Sequence, residues 1–434
     1  MPLKLENLRA LEILDSRGNP TLAVEARLSN GSAAWAHVPS GASTGRHEAL
    51  ELRDGDLSRY GGKGVINAVR NVARLLEVLR GMDAEDQAAI DRSAIETDGT
   101  PNKSRLGANA ILGVSCAVAR AVSVARGEPL WKTLAGSRQP LFPVPMVNIF
   151  SGGLHAGHNI EFQDFLIIPH GFDSYPQALE AAVKIHRAAY ETIIGRGYLL
   201  TGVADEGGWG PRLESNVRAL ELLTESIARA GFEPGVQVSI ALDAASTHFF
   251  EHGVYRLTSE NRILDAAGMI SLLEDWCARF PIVSIEDGLM EDDWEGWRQL
   301  TARLGGGLQL VGDDFFTTNS QRVERGIRER AGNAVLVKMN QIGTLTETFQ
   351  VIDRAREAGY RAVVSARSGE TEDSFLADLA TASGAGQIKV GSITRSERLA
   401  KYNRLLELDF PYPGRQMFPI RDRSTEDAES TPSR

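Results

Sequence analysis

The sequence predicts an α/β protein, a small N-terminal α+β domain followed by a (β/α) barrel. Two patterns carry that reading. Residues 3–60 alternate apolar and polar side chains, the period of half-buried strands. From residue 238 onward, short β-branched runs each end in a polar or charged residue and give way to an amphipathic helical pattern. Between the two regions Ala135–Pro145, rich in Gly and Pro, reads as a linker. The expected division is a capping domain over 1–135, a catalytic barrel over 136–418 and a polar tail over 419–434.

In chain order, LKLENLRALEILDS, TLAVEARLSN and SAAWAHVPS read as three antiparallel strands with turns at Arg17–Pro20 and Asn30–Gly31. VINAVRNVARLLEVLRG and ANAILGVSCAVARAVSVARG follow as helices, each stopped by Gly. The barrel runs are VSIALDA (238–244), PIVSIEDG (281–288), LQLVGDD (308–314), AVLVKMN (334–340), AVVSARSG (362–369) and QIKVGS (387–392). Helical segments such as LTETFQVIDRAREAG fill the gaps between them. A doubly wound open sheet is the rival architecture, but no GxGxxG sits at a first strand–helix turn. The isolated GGKG at 61–64 reads as a turn.

Composition narrows the function. With 434 residues and 42% apolar side chains the chain has ample material for a core, which excludes disorder as its main state. No run reaches the roughly 18 apolar residues that span a bilayer, and the first twenty lack a signal pattern. A cytoplasmic protein with no membrane partner is expected. The net charge of −10 argues against a nucleic-acid partner. Cys116 and Cys277 are far apart within apolar segments and read as reduced core residues. Only 8 of 47 basic residues are Lys, so a Lys inside a buried strand pattern stands out.

The strand ends of a barrel converge on one face. They deliver Asp243, Glu286, Asp313, Lys338, Arg367 with Ser368, and Lys389. Carboxylates on three consecutive strands make a hard oxygen cage, suited to Mg²⁺. A buried Lys needs a charged neighbour. Beside a divalent ion and a second cation its pKa is expected to fall, making it a neutral base. The chemistry suggested is proton abstraction α to a carboxylate, with divalent charge holding the dianion.

The segments SGASTGRHEALELRDGD (40–56), NKSRLGANAILGVS (102–115), DEGGWGP (205–211), SIEDGL (284–289), VGDDFF (311–316), VKMNQIGTLTET (337–348), SARSGETEDS (365–374) and GQIKVGSITRSERLAKYN (386–403) resemble the enolase family over almost the whole length. The resemblance implies a (β/α)8 barrel, two Mg²⁺ ions, a homodimer or larger homo-oligomer, and a small anionic substrate from which water is eliminated. It implies that Asp243, Glu286 and Asp313 hold the first Mg²⁺ and that Lys338 takes the C2 proton. Lys389 would sit beside the substrate carboxylate, and a protonated Glu206 would act as general acid on the C3 hydroxyl. Arg367 and Ser368 would bind the phosphoryl group. Ser43 would help complete the second Mg²⁺ site, and His155 would line the closing pocket.

The chain departs from the family pattern at the site itself. The family's SHRSGE is SARSGE here, placing Ala366 where an active-site His is expected. Its QEFM is QDFL, placing Asp164 where a Glu assists at the leaving hydroxyl. Its NGGEHADNN is SGGLHAGHN, altering Ser151, Leu154 and Gly157 on a substrate-covering loop. The first change empties an imidazole-sized space, and the second withdraws a carboxylate by about 1.5 Å, one C–C bond. Both are expected to enlarge the phosphoryl and leaving-group side. That favours a 2-phosphonoformyl-glycerate as substrate, as in the carboxyphosphonoenolpyruvate synthase branch of phosphonate antibiotic biosynthesis. Glycolytic dehydration of 2-phosphoglycerate is the alternative, and a non-catalytic paralogue a second alternative.

Overall fold

The computed structural model describes residues 2–41 and 45–410. Ser43 and the tail expected over 419–434 lie outside the described residues. The N-terminal strands β1 (Leu5–Leu14), β2 (Pro20–Leu28) and β3 (Ala33–His37) pair antiparallel in that order, as the alternation predicts. Helices α1 (Ile66–Leu79), α2 (Gln87–Asp98), α3 (Ala108–Arg126) and α4 (Leu130–Ala135) follow. The sequence reading did not single out α2, which is capped by Asp86 accepting from the Ala89 N–H and by the left-handed Gly99.

Helix α3 is long and apolar enough to cross a membrane, but 83% of its most apolar window is buried inside the protein. It packs on β2 and β3, and on the barrel helices Met339–Ile342 and Leu345–Glu357. A Cβ at Gly113 would meet Val24 Cγ2 at 2.5 Å, so glycine permits this close helix–sheet contact. Cys116, on the same helix, and Cys277 are both free and buried.

The rest of the described chain builds a closed eight-stranded barrel. Its strands are β4 (Val144–Ser151), β5 (Asp164–Pro169) and β6 (Val238–Asp243), then, after a small antiparallel sheet of β7 (Phe250–Glu251), β8 (Val254–Leu257) and β9 (Arg262–Leu264), β10 (Ile282–Glu286), β11 (Gln309–Gly312), β12 (Ala334–Val337), β13 (Arg361–Ser365) and β14 (Gln387–Gly391). Helices α5 (Tyr175–Gly195) and α6 (Asn216–Arg229) lie between β5 and β6. Further on, α7 (Ala266–Arg279), α8 (Trp294–Leu304), α9 (Ser320–Glu329), α10 (Met339–Ile342), α11 (Leu345–Glu357), α12 (Phe375–Ser383) and α13 (Ser396–Asp409) complete the outer layer.

The six runs read from the sequence coincide with β6 and β10 to β14, whereas β4 and β5 were not read as barrel strands. The reason lies in their connection. Residues 152–163 hold only the short turn Gly153–Ala156 and no crossover helix, so β5 returns antiparallel to β4 and to β6. The barrel is thus parallel except at β5. That reversal sets Asp164, the first residue of β5, at the same end as Ser151 and Asp243, the last residues of β4 and β6.

Candidate active site

The parallel register aligns the functional side chains at one rim. Asp243 and Glu286 end β6 and β10 as direct partners, and Ser365 and Lys389 pair across β13 and β14. Asp313 and Lys338 directly follow β11 and β12. Asp243, Asp313, Lys338, Ser365 and Lys389, together with Glu48, His155, Asp164, Glu206, Ala366, Arg367 and Ser368, line one cavity, and Glu286 joins it through its hydrogen bond from Lys389. The structure therefore brings together every expected site residue except Ser43, which falls outside the described residues.

Two lysines hold the acidic side of the cavity. Lys389 Nζ donates to Asp243 Oδ2 and to Glu286 Oε2, each at 2.7 Å. Lys338 Nζ donates to Asp313 Oδ2, whose other oxygen accepts from Gln341 Nε2 at 2.9 Å. Burial alone would lower both ammonium pKa values, but Asp243 and Glu286 drive Lys389 well above the usual lysine range, and Asp313 raises Lys338. In the metal-free site Asp313, as its direct partner, stabilises the Lys338 ammonium; the lowered pKa is expected of the lysine beside a bound divalent ion. Asp243 and Asp313 lie below the usual carboxylate range because their lysines outweigh the burial penalty. Glu286 lies well above it, through burial and the repulsion of Asp243.

The donor set suits a hard divalent cation. Asp243, Glu286 and Asp313 supply only carboxylate oxygens, and Glu286 Oε1 is buried without a hydrogen-bond partner. The trio is spaced around the two ammonium groups. The tighter groups, with ligand atoms within 4.8 Å of one another, are Asp287–Asp313–Asp314 and His155–Asp164–Glu206.

His155, from the turn after β4, faces two carboxylates. Its Nδ1 lies 3.1 Å from Asp164 Oδ2, and its Nε2 lies 3.9 Å from Glu206 Oε1. Burial would lower its pKa, but Asp164 and then Glu206 push it up to about 9. Glu206 is itself held below the usual range against burial, by Arg398 at 3.9 Å and by His155. Without metal or substrate, these neighbours favour the carboxylate form of Glu206 beside a protonated His155. Asp164 is raised by burial despite His155, and shows no exposed surface.

Across the cavity, Arg367 Nη1 donates to Glu48 Oε2 at 2.9 Å and to Asn340 Oδ1 at 3.2 Å. The fully buried Arg398 donates to the carbonyls of Arg367 and Ser368 at 2.6 and 2.7 Å, fixing the turn that carries them. Ala366 lines the cavity. The Asp164 carboxylate is held by hydrogen bonds with Asn148, Ser151 and His155.

Sequence reasoning singled out neither Glu48, Arg398, Asn148 nor Gln163, whose Nε2 donates to Asp243 Oδ2 at 3.2 Å. Glu48 and Arg398 stand inside the resembling segments 40–56 and 386–403, but only the folded chain shows which charges of those segments face inward.

A family model described as "Enolase, N-terminal domain" matches residues 5–134, and one described as "Enolase, C-terminal TIM barrel domain" matches residues 139–413. A curated relative named Enolase, from Rubrobacter xylanophilus, is 52% identical over 423 residues, covering 96% of this chain and 98% of that relative.

Proposed function

The chain belongs to the enolase family and is a carbon–oxygen lyase of the hydro-lyase type, and from this we propose that it removes water from 2-phosphoglycerate to give phosphoenolpyruvate. The observation that carries this order of preference is the 52% identity, over nearly the full length of both chains, to a protein named Enolase. It reverses the preference drawn from the sequence alone. The bulkier 2-phosphonoformyl-glycerate is the second reading, favoured by Ala366, which lines the cavity with Arg367 and Ser368.

In this proposal the barrel is the catalytic unit and residues 1–135 cap it. Asp243, Glu286 and Asp313 would hold a magnesium ion, which when bound supplies positive charge where the acid acquires its second negative charge. Lys389 orients the substrate carboxylate, and Arg367 with Ser368 the phosphoryl group. Ser43 would contribute to a second ion. Lys338 Nζ, once neutral, takes the C2 proton. The C2 electron pair then forms the C2–C3 double bond as the C3 hydroxyl leaves. Glu206 delivers the proton that turns that hydroxyl into water, and His155 stores the proton beside it in the resting site. Asp164 holds His155 in orientation. A homo-oligomer located in the cytoplasm completes the proposal, as expected of an enolase relative.

The test is steady-state turnover of both substrates. A higher kcat/KM for 2-phosphoglycerate is the expected result. A preference for the phosphonoformyl compound by more than about tenfold, 1.4 kcal/mol in transition-state binding, would install the second reading. Turnover of neither overturns both.

A further inference from the structure

We infer that Ser151 is a positioning residue, whose hydroxyl and the Asn148 amide together aim the Asp164 carboxylate at His155. The inference rests on the dehydratase reading above and adds a residue to its leaving-group side.

Three observations converge on it. Ser151 and Asp164 are directly opposed across the antiparallel β4–β5 pair, the only place in the barrel where this rim receives two strands joined by a short loop. On such a pair the side chains stand about 5 Å apart at Cβ, so two short side chains can meet. Ser151 Oγ lies 3.3 Å from Asp164 Oδ1 and accepts from Asn148 Nδ2 at 2.8 Å, while that same amide also donates to Asp164 Oδ1. Among the described residues, the other hydrogen-bond partner of this carboxylate is the His155 imidazole, at 3.1 and 3.3 Å from its two oxygens. All three of Asn148, Ser151 and Asp164 are at most 1% exposed, so water does not substitute for a lost partner cheaply.

The pocket around Ser151 is also fitted to its size. A Cβ placed on Gly208 would stand 2.8 Å from Ser151 Oγ and 3.1 Å from the Asn148 side chain, so a side chain at 208 would crowd this pair. A longer side chain at 151 would have to reach past the point where the short Asp164 ends. It would meet a carboxylate again only if residue 164 were lengthened too. Ser151 and Asp164, opposed across the strand pair with Oγ 3.3 Å from Oδ1, thus form one matched unit. Asn148 Oδ1, buried without a partner, offers an acceptor that an amide at 151 could use in the lengthened pair.

The experiment compares Ser151→Ala, Ser151→Asn, Asp164→Glu and the double variant Ser151→Asn/Asp164→Glu with the parent, on whichever glycerate the parent turns over faster. Loss of the hydroxyl in Ser151→Ala is expected to lower kcat about tenfold, with KM and the thermal midpoint close to the parent's. Each lengthened single variant is expected to lose more than the double, which recovers to within about threefold of the parent. If the losses of the single variants multiply in the double, or Ser151→Ala keeps the parent kcat, the inference fails while the dehydratase reading stands. A crystal structure of Ser151→Ala decides the point without turnover. Displacement of the Asp164 carboxylate by more than about 0.5 Å supports the role, and an unmoved carboxylate overturns it.

Discussion

Glu48, from the capping region, closes an ion pair with Arg367 on the barrel rim at 2.9 Å, with both side chains at most 5% exposed. In the proposed role of Arg367, the carboxylate occupies a guanidinium edge that a phosphoryl group would use, so cap and substrate would compete for one cation. Such buried pairs are costly to break on one side, because the survivor keeps its charge without a partner.

Glu48→Gln is therefore expected to lower the stability of the ligand-free protein by about 3 kcal/mol and to strengthen phosphate binding. Thermal unfolding with and without inorganic phosphate checks this. The stabilisation by phosphate should be larger in the variant than in the parent, and an equal shift in both proteins would remove the competition.

Lys338→Ala should abolish exchange of the C2 hydrogen into solvent, since Lys338, paired with Asp313, is the proposed base. Glu206→Gln should slow elimination by about a hundredfold while sparing part of that exchange. The measurement is deuterium incorporation alongside product formation. Exchange at the parent rate in Lys338→Ala, or equal loss of both processes in Glu206→Gln, contradicts the assigned roles.

The metal-free protein should lose stability as pH rises toward 9. His155 has a folded pKa of about 9, above its ordinary value of 6.5, so its pairing with Asp164 and Glu206 is fully present below pH 6.5 and disappears as pH climbs through about 9. Denaturant midpoints measured between pH 6.5 and 9.5 should fall more steeply for the parent than for His155→Gln. Parallel curves would show that the imidazole stays neutral.

Magnesium should bind more weakly as pH falls. The raised pKa of Glu286 means that this carboxyl must give up a proton before all three oxygen donors are available. Calorimetry in buffers of different ionisation enthalpy should record proton release on binding, and stripping the ion with a chelator should lower the thermal midpoint. Binding that is independent of pH and releases no proton is the contrary result.

Much of this site was legible in the residues themselves. A charged side chain directly after a β-branched run is one placed at a strand end, and six such runs in succession predict a barrel whose ends converge. Asp243, Glu286, Asp313, Lys338, Arg367 and Lys389 were readable for that reason. Their patterns are local, and a strand buried by its neighbours announces itself in a few consecutive residues.

Which partner each group meets was settled by the tertiary fold. The sequence did not reveal that β5 runs against its neighbours, because strand direction depends on the path of the connection and leaves no mark in the strand. Yet that reversal sets Ser151 opposite Asp164. Nor could it place Glu48 on Arg367 or Arg398 beneath Ser368, pairs separated by 319 and 30 residues. Protonation states followed the same division. A neutral Lys338 and a protonated Glu206 are expected with metal and substrate bound, and in the metal-free site contact distances set the charges: a pKa responds to the carboxylate a few ångströms away, wherever in the chain it originates.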